Sequence, residues 1–118
     1  MNYYSNDISH LKGDTYSCGL VIEELGQEPE EIAFTCRDSL NDNSEVLFSA
    51  TIGDGISLVE YDKVKDIRKY AIRIAPSKTI NLQSGAYYYD EEVRVNGDVF
   101  TIMKGRFILK QDCTRGGN

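Results

Sequence analysis

The stretch Leu82-Gln83-Ser84-Gly85-Ala86-Tyr87-Tyr88-Tyr89 decides the fold of this chain. A Leu-x-x-Gly-x-Tyr run that enters an alternating strand marks Leu82, Gly85 and Tyr87 as a tyrosine corner. In such a corner a Tyr hydroxyl bonds back to the turn that precedes its own strand. Asn96-Gly97 follows as a hairpin turn, and Val99 to Leu109 reads as the returning strand.

A two-residue type I′ turn at Asn96-Gly97 sets a register in which Val95 faces Asp98, Val93 faces Phe100 and Tyr89 faces Lys104. Tyr87, Tyr89, Val93, Val95, Phe100 and Ile102 then share one face, which is the expected core face. Glu91 falls on it as well, opposite Ile102. A carboxylate in that place calls for an edge, a hydrogen bond or a bulge. The other face carries Tyr88, Val99 and Met103 among Asp90, Glu92, Arg94 and Thr101. Three apolar side chains grouped on an outer face predict a docking surface.

The rest of the chain repeats the period of two, with no helix-period stripe. Residues 14–24 alternate, with Tyr16, Cys18, Leu20 and Ile22 on one side. Ile32, Phe34 and Cys36 do the same, then Val46, Phe48 and Ala50, then residues 56–60, then Tyr70, Ile72 and Ile74. Gly26 to Glu31, Asp38 to Glu45, Gly53-Asp54-Gly55 and Tyr61 to Asp66 have loop and turn composition. Pro76 ends a strand, and Ser77 to Gln83 suits one helical turn capped by Ser77. About seven short strands separated by turn clusters predict an all-β, immunoglobulin-like antiparallel β-sandwich. The expected organisation is a single domain over residues 1–118, with residues 1–10 and 115–118 as loose ends.

Composition narrows the function classes. The chain has 13 basic and 19 acidic side chains, a net charge of -6, which disfavours a phosphate backbone as partner. Lys63, Lys65, Arg68 and Lys69 cluster, but Asp62 and Asp66 are interleaved with them. No run is long and apolar enough for membrane insertion, and the polar first residues do not read as a signal peptide. Cys18, Cys36 and Cys113 are three cysteines without paired spacing, so free thiols and synthesis in a reducing cytoplasm are expected.

No catalytic constellation stands out. His10 is the single histidine and has no second histidine or nucleophile at a recognisable spacing. Glu28, Glu30 and Glu31, or Asp90, Glu91 and Glu92, are sequence neighbours of the kind found on solvated faces. Asp38, Asn41, Asp42, Asn43 and Glu45 could converge on calcium, but they lack the EF-hand order and read better as a polar turn. Gly53-Asp54-Gly55 is not a phosphate loop. The expectation is therefore no enzyme, no cofactor and no resident metal.

Taken in order, several motifs resemble small phage and prophage proteins of Gram-positive hosts. They are Lys12-Gly13-Asp14-Thr15-Tyr16, Gly53 to Ile56, Lys69 to Pro76, Leu82 to Asp90, Thr101 to Gly105 and Gln111 to Thr114. The chain looks like the amino-terminal immunoglobulin-like domain of upper baseplate proteins in long non-contractile tails. That resemblance implies a virion structural role in tail or baseplate assembly, by docking to other tail proteins or to further copies of itself. A carbohydrate- or ligand-binding sandwich is the alternative, with Tyr3, Tyr4, Tyr61 and Tyr87 to Tyr89 as stacking platforms.

Overall fold

Strands of alternating side chains form wherever the period of two runs uninterrupted, and nine are present in the computed structural model, which describes residues 4–41 and 43–111. They are β1 (Tyr4–Ser5), β2 (Ile8–Leu11), β3 (Tyr16–Glu23), β4 (Glu31–Arg37), β5 (Val46–Ile52), β6 (Gly55–Asp62), β7 (Ile67–Ile74), β8 (Gly85–Val95) and β9 (Asp98–Lys110). Two of them, β1 and β2, lie where a loose amino-terminal end was expected. Both pair in parallel with β9, and Ile8 is buried in the core. Residues 1–3 and 115–118 lie outside the described residues, as does Cys113.

The hydrogen-bonded order is β1-β9-β8-β4-β5-β6-β7-β3, with β2 also on β9. The chain passes from one layer to the other at Gly53-Asp54-Gly55, where only Thr51–Gly55 and Ile52–Ile56 link β5 to β6. The front layer is thus β1/β2-β9-β8-β4-β5, and the back layer is β6-β7-β3. Tyr16 of β3 contacts Phe34 of β4 and Phe107 of β9, at ring distances of 6.3 and 5.5 Å. These strands are not neighbours in the hydrogen-bonded order, so they face one another across a sandwich. Two antiparallel layers with the amino-terminal strand parallel to the last one make an immunoglobulin-like β-sandwich.

Between the layers, Phe34 and Phe107 are fully buried and meet in a T-shape at 6.2 Å. Ile32, Ile56, Ile72, Ile74 and Leu109 complete the dry centre. At roughly 2 kcal/mol for each large apolar side chain taken out of water, this core supplies the main driving force for folding. Arg68 is also buried, held by Asp66 at 2.8 Å and lying 4.2 Å over the Tyr61 ring. One of the four clustered basic residues is therefore spent inside the fold.

The tyrosine corner is built as its sequence suggests. The Tyr87 hydroxyl donates to the Gln83 carbonyl at 2.6 Å, and Leu82 and Tyr87 pack half-buried against the core. The helical turn before it is a 3-10 turn, Pro76–Lys78. Ala75, not Ser77, is its N-cap, and no side chain caps it. Pro76 fits the first position because a turn needs no donor there.

At the hairpin tip Asn96 and Gly97 have φ of 53° and 78°, as a type I′ turn requires, and Val95 pairs with Asp98. The expected register holds as far as Glu92–Thr101. It then slips by one residue: Glu91 pairs with Met103, Asp90 with Lys104 and Tyr89 with Gly105. Ile102 is the extra residue of a β-bulge. The bulge does not expel Glu91, whose side chain stays only 3% exposed.

Candidate interaction face

Paired residues in a ladder point to the same side, so the bulge decides which side chains of β9 share a face with β8. Past Ile102 the parity of β9 flips, and Met103 follows Glu91 to the inner side, where it packs against the core. The expected outer cluster of Tyr88, Val99 and Met103 is therefore broken. Tyr88 pairs with Arg106, while Val99 pairs with Arg94 near the hairpin tip. Six residues of strand separate those two places, about 20 Å at the rise of a β-strand.

The outer face around Tyr88 has a different makeup. Arg37 of β4 and Arg106 of β9 flank Tyr88 of β8 in one cross-strand row, and Thr35, Asp90 and Lys104 form the next row. A cleft of about 390 Å³ opens over these rows, with Ser39 and Leu40 on its rim. The arginines are held in place. Arg37 Nη1 donates to the Ser44 carbonyl at 2.7 Å. Arg106 donates through Nε and Nη2 to Asp7 Oδ2, at 3.2 and 3.0 Å, and its backbone N–H donates to Asp7 Oδ1. These bonds from Arg106 hold the Asp7 carboxyl below its usual pKa.

Arg37, Lys104 and Arg106 thus stand beside Asp90 and Asp7 on a chain of net charge -6, a local excess of one positive charge around a half-buried aromatic ring. Neither arginine was legible as part of the site. Their link to Tyr88 depends on the β4–β8 register and on the bulge at Ile102, and neither has a local sequence signal.

Elsewhere the candidate groups fall apart. The loop of residues 38–45 turns on itself: Asn43 N–H donates to Asn41 Oδ1 at 2.9 Å, and Asn41 N–H donates to Ser39 Oγ at 3.2 Å. Asp42 lies outside the described residues. Among the described residues, no group of three His, Cys, Asp or Glu could hold a metal ion. Glu30 and Glu31 serve the backbone, accepting from Gly97 N–H at 2.9 Å and from Ile32 N–H at 2.9 Å. His10 Nε2 lies 2.9 Å from the Asp14 carbonyl, and its ring packs edge-on to Tyr16. The described tyrosines form no shared platform: Tyr4 is exposed on β1, Tyr61 lies under Arg68 on the back layer, and Tyr89 is buried. Tyr3 lies outside the described residues.

No family model matches the chain, and no curated protein does. Among solved structures, one is from work on multimeric cell-adhesive interactions of voltage-gated sodium channel beta subunits. It is 14% identical, covers 92% of each chain and has a TM-score of 0.43. Another is a parallel homodimer structure of the extracellular domain of the sodium channel beta4 subunit. It is 10% identical over 95% of this chain and 96% of that one, with a TM-score of 0.42. At such identities and scores the likeness says nothing of what this chain binds.

Proposed function

We propose that this chain is a protein–protein docking module of a phage or prophage tail or baseplate. The observation that carries the docking reading is the row Arg37–Tyr88–Arg106, an aromatic ring between two restrained guanidinium groups on an open sheet face. Tyr and Arg dominate the energetics of protein interfaces because they bring large contact area and directed donors at low entropic cost. Repetition around a symmetric assembly would turn one modest contact into firm attachment. The tail assignment is supported by the ordered motifs from Lys12 to Thr114 and by their resemblance to upper baseplate domains.

Incorporation of the purified chain into tail particles tests the reading. Tyr88→Ala changes a side chain of the outer face and should leave folding intact while weakening incorporation by about tenfold or more, as for an interface anchor. Unchanged incorporation of Tyr88→Ala would remove this face from the proposal.

A further inference from the structure

Strand β3 closes the back layer on one side, and its outer edge has no partner among the described residues. Exposed edges are usually protected by shortness, a bulge, Pro or Lys. The other edges here follow that rule: β1 and β2 are two short pieces, β5 bulges at Leu47, and β6 bulges at Val59, between Leu58 and Glu60. By contrast β3 runs uninterrupted from Tyr16 to Glu23, with no Pro, Lys or register shift.

Which backbone groups this edge offers follows from its pairing. The N–H of Glu24 donates to the Asp66 carbonyl at 2.8 Å, one step beyond the Glu23–Ile67 pair. Antiparallel ladders alternate bonded and unbonded pairs. The even-numbered residues of β3 therefore bond inward to β7. Ser17, Gly19, Val21 and Glu23 turn their N–H and C=O groups to the open edge.

We propose that β3 is a dimerisation edge, on which two copies of this chain pair antiparallel about a two-fold axis at Leu20. This register gives all four open residues a partner: Ser17 meets Glu23 of the second copy, and Gly19 meets its Val21. A register shifted by two residues either way leaves one of them outside the pairing. Side-chain chemistry selects the same register. Val21 is 56% exposed, and a Cβ at Gly19 would have only the Tyr70 carbonyl, at 3.9 Å, as a near neighbour. The valine of one copy covers the bare backbone of the other.

The Ser17 hydroxyl can donate to the Glu23 carboxylate opposite it, while the two acidic ends lie at opposite ends of the joint. Behind the edge, a groove of about 500 Å³ is lined by Tyr4, Leu20, Ile22, Ile102 and Met103. Leu20 and Ile22 belong to the core of each copy, so pairing about Leu20 brings the two grooves together and shelters their apolar linings. The same pairing extends the back layer into one continuous sheet across the dimer, and it leaves the Tyr88 face of both copies open. It does not depend on the docking role proposed for that face.

Sedimentation equilibrium of the full chain from micromolar to millimolar concentration tests this. The wild type should dimerise. Ser17→Glu sets like charges against Glu23 twice per dimer and should raise the dissociation constant by about tenfold. Ser17→Glu combined with Glu23→Lys should restore it, because the pairs become attractive. Val21→Lys, an independent surface change that brings two lysines together near the axis, should also dissociate the dimer. Amide exchange at Ser17, Gly19, Val21 and Glu23 should slow as concentration rises. A wild type that stays monomeric overturns the proposal, as does a dimer indifferent to Ser17→Glu or a double variant that fails to recover. Slow exchange independent of concentration would put another segment of the chain on this edge and overturn it equally.

Discussion

The ring of Tyr89 lies stacked on Phe34, with centroids 5.1 Å apart and planes 13° from parallel. Tyr89 follows the corner tyrosine, Tyr87, by two residues, the place where antibody domains carry the second cysteine of their inter-layer disulfide. Here Cys18 and Cys36 are free thiols, and the two layers are joined instead by Tyr16 of β3, whose ring packs against Phe34 and Phe107 of the front layer. Phe107 stands edge-on to both Phe34 and Tyr89, which joins β4, β8 and β9 through one cluster. Burial pushes the Tyr89 phenol up to about 12, so it is a donor at any ordinary pH.

That donor holds the amino-terminal strands. The Tyr89 hydroxyl donates to the Asn6 carbonyl at 2.6 Å, in the break between β1 and β2. Tyr89→Phe keeps the stack and strands the carbonyl. A loss of about 1–2 kcal/mol in urea unfolding is expected, with faster amide exchange at residues 4–8. Exchange unchanged across those residues would show that the bond does not anchor them.

Gly105 is required by the same crossing. It sits on the inner side of β9 opposite Tyr89, and a methyl group there would overlap the Asn6 carbonyl oxygen. The atoms in the way are backbone of Asn6, which cannot swing aside as the end of a side chain could. Gly105→Ala should therefore cost about 1–3 kcal/mol, the range for overpacking, although alanine is the better strand residue in isolation. In combination with Tyr89→Phe the losses should fall short of their sum, since both act on Asn6. Full additivity in the double variant would separate the two effects.

Much of the architecture was legible because period-two alternation is a local property. Ile32-Ala33-Phe34-Thr35-Cys36 and Tyr70-Ala71-Ile72-Arg73-Ile74 place their burial in plain sight, and Asn96-Gly97 dictates its own turn. The bulge at Ile102 has no such mark: a Thr-Ile-Met run alternates as well with it as without it. That one residue sent Met103 inward and so dismantled the expected docking cluster. Ile8 and His10 were missed as strand residues because β2 is four residues long and is formed by pairing with β9, nearly a hundred positions away. The Arg37–Tyr88–Arg106 row is non-local in the same way.

Thiol chemistry offers a direct readout of the core. Cys36 is fully buried on β4 between Phe48 and Tyr89, and burial pushes its thiol up to about 12. Burial raises the Cys18 thiol too. Since the thiolate is the reactive form, Cys36 should resist an aromatic disulfide reagent in the native protein and react at once in denaturant. Rapid native labelling of Cys36, located by peptide mass, would contradict a closed sandwich.

Glu91 makes the fold sensitive to pH in the opposite sense to a salt-bridged carboxylate. Burial, and secondarily the neighbouring Asp90, raise its pKa from 4.5 to about 7. Below 4.5 the group is protonated in both the folded and unfolded chain and imposes no penalty. Between 4.5 and about 7 the unfolded chain has lost the proton while the folded one retains it, so stability falls as pH rises. Above about 7 the penalty is complete, on the order of 3 kcal/mol at 1.36 kcal/mol per pH unit of displacement. Glu91→Gln keeps the shape and removes the charge. The variant should therefore match the wild type near pH 4 and exceed it at pH 8, as measured by urea unfolding at both values. A wild-type advantage at pH 8 would mean that ionised Glu91 is held by favourable contacts that outweigh its burial.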